Sequence, residues 1–337
     1  MVSDLLVGLI GAPFVLERLK VKPGRRRTLR ASGPRGRVIV KLYATPRAGS
    51  VADRLSSLAG GPVEPIIPKV LAVGPDERSV VLSEVPGQTL GASLLDGPGD
   101  APTRAGRALG RWHRAWSAAP PAALRPHSVE RELEILEARM SGLAPAFADR
   151  IRRATPIGVS WAPVTVVHRD LYEEQILVAD RVGLIDLDDV ALGPPELDLG
   201  NLLAHLDLLE LRSGHHLDVE RGNLVKSYRA VGPPIDDGRL EGCRQLSLLR
   251  LAAIHHCEPL LDLVTRRSLS SVGDSVVPGL LARPKAGRRR RAEVSAGRVQ
   301  EPMLHRPQRG LGAVHHAEAR EDAGEVRLHR LFGDTQA

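Results

Sequence analysis

The sequence predicts an α+β protein with two lobes, a small β-rich N-terminal lobe and a larger, mainly helical C-terminal lobe. Up to residue 83 the chain consists of short β-type runs between Gly- and Pro-rich turns, with one helical segment among them. A Pro/Gly connection follows at residues 84–88, and most of the later sequence has the apolar spacing of helices. We therefore place the lobes at residues 1–85 and 86–268.

The composition is that of an ordinary globular protein. The 337 residues are 42% hydrophobic and 26% charged, and aromatic residues are only 3%, so the core has to be built from Leu, Val, Ile and Ala. The two cysteines give no disulfide framework and fit a reducing compartment. Residues 5–16 are apolar but too short to span a bilayer and have no basic segment before them, so we expect a core helix ending near Pro13. These features predict a soluble, cytoplasmic protein without a membrane partner.

The positive charge is concentrated towards the C-terminus. The chain carries 47 Lys and Arg against 40 Asp and Glu, and the segment from Ser271 onwards carries twelve basic and eight acidic residues. The rest has only a small positive excess, so a nucleic-acid partner is not implied. Residues 269–337 read as a basic tail that is disordered, or as a basic arm, or as a frame-shifted C-terminus.

Turns and apolar runs predict the elements of the N-terminal lobe. A hairpin turn at residues 22–27 precedes a strand from Thr28, a second turn leads into a strand at 37–43, and a helix is expected at 49–59. Two further strands are predicted at 69–73 and 79–83. Lys41 lies inside the strand at 37–43. Such a lysine is either an edge residue that points to water or a buried partner of a phosphate group.

Five helices are predicted in the C-terminal lobe. The first covers 103–117, with His113 beside its apolar face as a packed structural residue. A second is capped by Ser128 and is expected to bury the stripe Val129, Leu133, Leu136 and Met140. The others start at Glu196, with Asp198 near the N-terminus, or cover 218–230 and 238–264.

Two carboxylates at the ends of short β-type runs are the strongest chemical signal in the chain. Asp170 follows the apolar residues at 164–167, and Asp186 follows the run at 182–185. We expect these two strands to be neighbours. With the amide of Gln175 between them, the pair predicts a site for a divalent metal ion and phosphate groups. Asp189, close by, is expected to be solvated or to support the metal.

Three stretches resemble a known family: HRDLYEEQILV at 168–178, GLIDLDDVALGPPELDLGNLLAHL at 183–206 and, more weakly, RVIVKLY at 37–43. They occur in the order found in the aminoglycoside phosphotransferase and choline-kinase-like family, small-molecule relatives of the protein kinases. The Asp-Phe-Gly and Ala-Pro-Glu motifs of protein kinases proper are absent. The resemblance implies a protein-kinase-like fold. It also implies transfer of phosphate from ATP, with Mg²⁺, to a hydroxyl of a small molecule such as an aminoglycoside, an amino alcohol or a related metabolite.

The resemblance also implies roles for individual residues. Asp170 would be the catalytic base, and Lys41 would pair with the α- and β-phosphates. Gln175 and Asp186 would hold Mg²⁺. The adenine-binding hinge would be Glu84, Val85 and Pro86, while His168 and Asp198 would brace the catalytic loop. Acidic residues beside the loop could attract a cationic acceptor, namely Glu173, Glu174 and Asp188.

Two departures from the family pattern motivate an alternative function. Gln175 stands where the family usually has Asn, and the predicted helix after Lys41 contains no Glu to fix that lysine, only Asp53. These features would suit a nucleotide-binding pseudokinase or regulatory module without turnover. A nucleic-acid-binding protein, suggested only by the charge of the tail, is a third reading. The oligomeric state is not specified by the sequence.

Overall fold

A five-stranded antiparallel sheet forms the N-terminal part of the computed structural model, which describes residues 2–273, with side chains to residue 265. The strand order is β1-β2-β3-β5-β4. Helix α1 precedes the sheet, and α2 lies between β3 and β4 in the sequence. The bounds are α1 Val2–Ile10, β1 Val15–Lys22, β2 Arg26–Gly33, β3 Gly36–Tyr43, α2 Ala48–Ser57, β4 Val70–Val73 and β5 Ser79–Ser83.

The two faces of β3 have different surroundings, as the alternation of a strand requires. Val38, Val40 and Leu42 belong to the apolar cluster that packs against α1. Tyr43 belongs to the other cluster, with α2 and the helices of the C-terminal part. Lys41 is buried on this second face. The sheet therefore points Lys41 towards the rest of the molecule and away from water.

The prediction for the apolar segment at 5–16 is wrong in its second half. The helix ends at Ile10, Gly11 has φ +80°, and the chain enters β1 at Val15, which is 71% exposed. Gly11 tolerates the left-handed conformation that ends a helix, and Pro13 has no backbone N–H to continue one.

The C-terminal part consists of helices around two small sheets. One apolar cluster joins this part to the α2 face of the N-terminal sheet, and a second, separate cluster lies within this part and reaches Val264. The bounds are β6 Gln88–Thr89, α3 Leu90–Leu95, α4 Ala101–Ala118, α5 Val129–Met140, α6 Pro145–Ala154, β7 Thr165–Val167, β8 Ile176–Val178, β9 Val182–Leu184, β10 Ala191–Gly193, α7 Pro195–Ser213, α8 Asp218–Val231, α9 Asp237–His255 and α10 Glu258–Gly273.

The strands that lead to Asp170 and Asp186 are not neighbours, contrary to the prediction. Strand β7 pairs with β10, whereas β9 pairs with β8 in a separate sheet of order β6-β8-β9. Each of these strands has only three residues, so periodicity alone cannot specify which strand pairs with which.

Two helix predictions in this part need correction. The predicted helix at 238–264 is two helices, because His256 adopts φ 51° between α9 and α10, and the next helix begins at Glu258 with Pro259 in its first turn. In α5 the Ser128 cap is confirmed, since its side chain accepts from the Arg131 N–H. However, Leu133 is 37% exposed and Glu132 is buried in its place, where Arg250 and His127 pair with its carboxylate.

Strand β5 ends at Ser83, and the connection at 84–87 leads to β6 and the helices. The division after residue 85 stays a prediction. The predicted tail at 269–337 lies outside the described residues, except for 269–273, which form the last part of α10. Within residues 2–273, none of the helices combines the length and the apolar character needed to cross a membrane.

Gly106 provides a test of the packing between α4 and α8. A Cβ added there would lie 2.2 Å from the carbonyl oxygen of Leu224, so Gly106→Ala should lower the free energy of unfolding by about 1–3 kcal/mol. The matched control is Gly222→Ala in α8, where a Cβ meets nothing within 4 Å. It should raise the free energy of unfolding by about 0.5–1 kcal/mol, since alanine is the better helix former. The free energies of unfolding are measured by urea denaturation. An equal decrease in both variants would contradict this packing.

Candidate active site

Three polar side chains project from one face of the N-terminal sheet towards the loop after β9. The β2–β3 register pairs Arg26 with Tyr43 and Thr28 with Lys41, which places all four side chains on the same face. Arg26 and Lys41 reach the carboxylates of both Asp186 and Asp188, and Tyr43 reaches that of Asp188. The antiparallel register thus assembles the cationic side of the site.

The loop after β9 supplies the anionic side. Asp186 directly precedes a one-turn helix at Leu187–Asp189 and has the left-handed backbone conformation, φ 67°. This turn directs the carboxylates of Asp186 and Asp188 to the same cations. A positive φ is unfavourable for a residue with a Cβ, and such strain is maintained only where surrounding contacts hold it.

All four carboxylate oxygens of this pair accept hydrogen bonds. Lys41 Nζ donates to Asp186 Oδ1 over 2.8 Å and to Asp188 Oδ1 over 2.5 Å. Arg26 donates from Nη1 to Asp186 Oδ1 over 2.6 Å and from Nη2 to Asp186 Oδ2 over 2.8 Å, and it also bonds Asp188 Oδ2. The Tyr43 hydroxyl donates to Asp188 Oδ2 over 2.9 Å.

These contacts control the ionisation of the cluster. Burial alone would raise the pKa of Asp186, but the charges and hydrogen bonds of Lys41 and Arg26 hold it well below its usual range. The pKa of Asp188 is lowered against burial mainly by the charge of Lys41. Burial and the charge of Asp188 raise the pKa of the Tyr43 hydroxyl, so it acts as a donor. Both carboxylates are therefore ionised at neutral pH.

Asp188 provides a carboxylate that pairs with Lys41, whereas helix α2 provides none. Asp53 in α2 is exposed, whereas Arg54 in the same helix donates from Nε to the backbone carbonyl of Asp188 over 3.0 Å. The lysine is thus fixed by a residue of the loop that contains Asp186, and α2 fixes that loop. Asp188 was predicted as a contact to the acceptor, and the structure places it among Lys41, Arg26 and Tyr43.

Asp170 lies in a loop whose backbone is held by Asp198. The two carboxylate oxygens of Asp198 accept the backbone N–H groups of His168 over 2.7 Å and Arg169 over 2.8 Å. Arg169 has φ 72°, so the loop turns sharply before Asp170. The Asp170 side chain is exposed and makes no hydrogen bond within the described part of the chain. The backbone before Asp170 is therefore held by two hydrogen bonds, while the Asp170 carboxylate faces solvent.

Further contacts brace this loop from the helices. His113 of α4 is fully buried between Asp198 Oδ2 at 3.2 Å and the Tyr228 hydroxyl at 2.9 Å, in agreement with its predicted structural position. Asn201 of α7 donates to the Leu171 carbonyl over 2.7 Å. His168 Nε2 lies 2.8 Å from the carbonyl oxygen of Ile185. Through this last contact the Asp170 loop and the Asp186 loop meet, although their strands do not pair.

Gln175 is buried beside the segment that leads to Asp186. Its backbone carbonyl accepts the Ile185 N–H over 3.0 Å. Its side-chain amide oxygen and nitrogen have no hydrogen-bond partner, although both atoms are shielded from water. A buried amide without a partner is unfavourable, so these two atoms are available to bind a ligand, an ion or water.

A half-buried lysine, Lys22, is close enough to Asp170 and Asp186 to be influenced by both charges. Burial lowers the pKa of Lys22, while the negative charges of Asp186 and Asp170 act in the opposite direction. Lys22 is at the end of β1, where the turn to β2 begins. The site thus has cations from the sheet on one side and both predicted functional carboxylates on the other.

The remaining predicted site residues lie around this centre. Glu84 forms ion pairs with Arg30 and Arg37 at 2.8 and 2.9 Å, Val85 packs over Gly183, and Pro86 is exposed. Glu173 is buried and Glu174 is exposed beside α3. Asp189 is exposed and pairs with Arg47 over 3.2 Å.

Sequence reasoning did not identify Tyr43 and did not distinguish Arg26 from the neighbouring arginines of the hairpin, which could contact phosphate or be solvated. The two-residue spacing of Lys41 and Tyr43 within one strand was a usable signal, because alternate residues share a face. Arg26 lies among three consecutive arginines, and the structure separates them. Arg25 is exposed in the turn, Arg26 enters the site, and Arg27 pairs with Leu42, whose side chain is on the opposite face.

Comparison with known proteins identifies relatives at the level of a family profile and of the fold. The profile of the Phosphotransferase enzyme family (APH) matches residues 24–220, more than half of the chain. No curated protein sequence matches. A choline kinase from Cryptosporidium parvum aligns with 11% identity and TM-score 0.60, covering 82% of this chain and 97% of that one.

Two antibiotic phosphotransferases are also similar in fold. A macrolide 2'-phosphotransferase from Brachybacterium faecium has 17% identity and TM-score 0.51, covering 82% of this chain and 98% of that one. A spectinomycin phosphotransferase in complex with ADP and spectinomycin has 15% identity and TM-score 0.52, covering 80% and 90%. The predicted kinase-like, two-lobed α+β fold is confirmed by these likenesses.

The burial of Glu173, which lies shortly after the Asp170 loop, can be tested through the pH dependence of protein stability. Burial raises the pKa of Glu173 to about 7, and His205 at 3.9 Å is no cation at neutral pH because burial lowers its pKa to about 3. When the pKa of an acid is higher in the folded than in the unfolded protein, its protonation stabilises the fold. This contribution is complete below the unfolded pKa of about 4.3 and is lost as the pH rises through the folded value of about 7. Glu173→Gln should therefore match wild type near pH 4 and exceed its free energy of unfolding at pH 8 by on the order of 1–3 kcal/mol.

The matched control is Glu174→Gln, which removes the same charge from the neighbouring exposed residue. Its free energy of unfolding should stay within about 0.5 kcal/mol of wild type at both pH values. Denaturant unfolding at pH 4 and pH 8 provides the measurement. A Glu173→Gln effect that does not grow with pH would contradict the burial of this carboxyl.

Proposed function

The chain belongs to the Phosphotransferase enzyme family, and from that premise we propose that it transfers phosphate from ATP, with Mg²⁺, to a hydroxyl of a small molecule. The proposal rests on one observation. Lys41 pairs with Asp186, and the loop that exposes Asp170 is held in place by Asp198 on the opposite side of the site. Phosphoryl transfer needs a cationic clamp, a metal-binding carboxylate and a base for the acceptor hydroxyl. The site contains a candidate for each.

Each residue has a role that its surroundings support. Lys41 is a buried cation that would bind phosphate oxygens in place of a carboxylate. Asp170 is exposed on a loop fixed by Asp198, so it can meet an acceptor hydroxyl from solvent and accept its proton. The segment at Glu84–Pro86 would receive adenine through its backbone groups. His168 and Asp198 hold the loop in place.

The residues present fit a magnesium ion. Mg²⁺ binds through one or two carboxylates, with water and phosphate oxygens completing its coordination. Asp186 supplies an ionised carboxylate, and Gln175 has a buried amide oxygen that lacks a partner. Residues 2–273 contain no group of three or more His, Cys, Asp or Glu suited to a metal. In the proposed complex, phosphate oxygens of the nucleotide would supply further ligands. When bound, Mg²⁺ would neutralise phosphate charge.

A second candidate, nucleotide binding without turnover, is favoured by one observation. Gln175 is one methylene longer than the Asn usual in the family, and Mg²⁺ tolerates little error in ligand position. The missing helix Glu no longer supports this alternative, because Asp188 pairs with Lys41. The two candidates differ in whether replacing Asp170 changes a measurable rate.

The acceptor is proposed as a class. The fold neighbours include enzymes named for choline, a macrolide and spectinomycin. We propose a small molecule with a free hydroxyl, with aminoglycosides, amino alcohols and related metabolites as the first candidates. Glu174 is exposed beside the loop and could attract a cationic acceptor.

The function is tested by ATP consumption over a panel of aminoglycosides, macrolides, amino alcohols and sugars. Asp170→Asn should lower the rate with the best acceptor by roughly 10²–10⁴-fold, because it removes the proton acceptor. Asp180→Asn is the matched control, since it makes the same change at an exposed residue in the turn between β8 and β9. Its rate should equal that of wild type.

Nucleotide binding is measured separately by thermal denaturation. Millimolar ATP or GTP with Mg²⁺ should raise the Tm of wild type and of Asp170→Asn, and should leave Asp186→Asn unshifted. Binding without turnover of any acceptor would support the second candidate. No shift of wild type with either nucleotide would refute both.

A further inference from the structure

We propose that Arg26 is a phosphate-binding residue that occupies the carboxylates of Asp186 and Asp188 until a nucleotide arrives, and so couples metal binding to nucleotide binding. This inference rests on the proposed function. It assigns a role to a residue in the β1–β2 hairpin that the sequence patterns do not single out.

Arg26 is the principal obstacle to a metal ion at Asp186. Its guanidinium bonds both oxygens of Asp186 and one oxygen of Asp188. Lys41 also reaches Asp186 Oδ1, but Arg26 is the sole donor to Oδ2 among the described residues. A cation that approaches Asp186 Oδ2 meets the positive charge of this guanidinium at close range, which disfavours metal binding until Arg26 moves away.

The cluster is electrically balanced as it stands. Arg26 and Lys41 offset the charges of Asp186 and Asp188. Adding a divalent cation alone would leave an excess of positive charge in a poorly solvated site, which is unfavourable. A nucleotide brings several negative charges with the metal and restores the balance.

The position of Arg26 allows an exchange of partners. It is the first residue of β2, directly after a turn in which Gly24 has φ +64°. A guanidinium binds carboxylate and phosphate with the same planar, two-pronged geometry. Rotation of the side chain could transfer it from Asp186 to phosphate oxygens held by Lys41 while the strand pairing stays intact.

Linkage makes this exchange measurable. If ADP releases Arg26 from Asp186, ADP must strengthen metal binding, and the metal must strengthen ADP binding by the same factor. This factor is the ratio of the metal affinity with ADP to the metal affinity without it, and removing the guanidinium changes both affinities. The metal alone binds more tightly because its competitor is gone, and the complex with ADP loses one phosphate contact.

The experiment is a Mn²⁺ titration of the full chain, followed by electron paramagnetic resonance of the free ion, with and without ADP. A protein-free titration corrects for Mn²⁺ bound by ADP in solution. For Arg26→Gln we expect tighter binding of Mn²⁺ alone and a coupling factor reduced by roughly tenfold or more relative to wild type. Arg27→Gln removes the same charge from the opposite face of β2 and should behave as wild type.

Arg26→Lys keeps the experiment decisive if Arg26→Gln does not fold, as circular dichroism would show. Lysine retains the charge without the two-pronged contact. The affinity of this variant for Mn²⁺ alone and its coupling factor should both lie between those of wild type and Arg26→Gln. Mn²⁺ affinity and a coupling factor equal to those of Arg27→Gln would overturn the role of Arg26 while leaving nucleotide binding intact. Wild type that binds no ADP would overturn the proposed function together with this inference.

Discussion

The ion cluster between the N-terminal sheet and the loop after β9 is the interaction on which the rest of the site depends. Lys41 and Arg26 extend from the sheet, and Asp186 and Asp188 meet them from the other side. Buried charges are tolerated only when they are paired, and removing one partner from such a pair typically costs about 3–5 kcal/mol. The cluster therefore fixes the sheet against the loop, and it keeps charged groups concentrated where the chemistry needs them.

The opposite side of the site is rigid for a different reason. Asp198 accepts two backbone N–H groups of the loop before Asp170, and His113 holds Asp198 from behind. These contacts stabilise a sharp turn at Arg169, whose φ is unfavourable for a residue with a side chain. A carboxylate that is exposed on a fixed backbone can meet a substrate without first reordering the loop, which lowers the entropic barrier to reaction.

The sequence predicted most elements and named Lys41 and Asp186, which meet in the structure, and its failures have identifiable causes. Alternating apolar residues located β3 and placed Lys41 in it, but the partnership with Arg26 depends on the β2–β3 register, which one strand does not contain. Asp188 was interpreted from its local acidic context, whereas its contacts come from residues more than 100 positions earlier. Leu133 fitted a helical stripe, yet Glu132 is buried because Arg250 pairs with it. Local periodicity in the sequence therefore predicts elements, but it does not predict which residues pair over long distances along the chain.

In the proposed complex, nucleotide phosphates bind between Lys41 of the sheet and the Asp186 loop. The decisive measurement is a crystal structure with a non-hydrolysable ATP analogue and Mg²⁺. Phosphate oxygens should lie at Lys41, a metal ion at the Asp186 carboxylate and the terminal phosphate facing Asp170. A nucleotide bound elsewhere, with Lys41 and Arg26 still paired to both carboxylates, would contradict this arrangement.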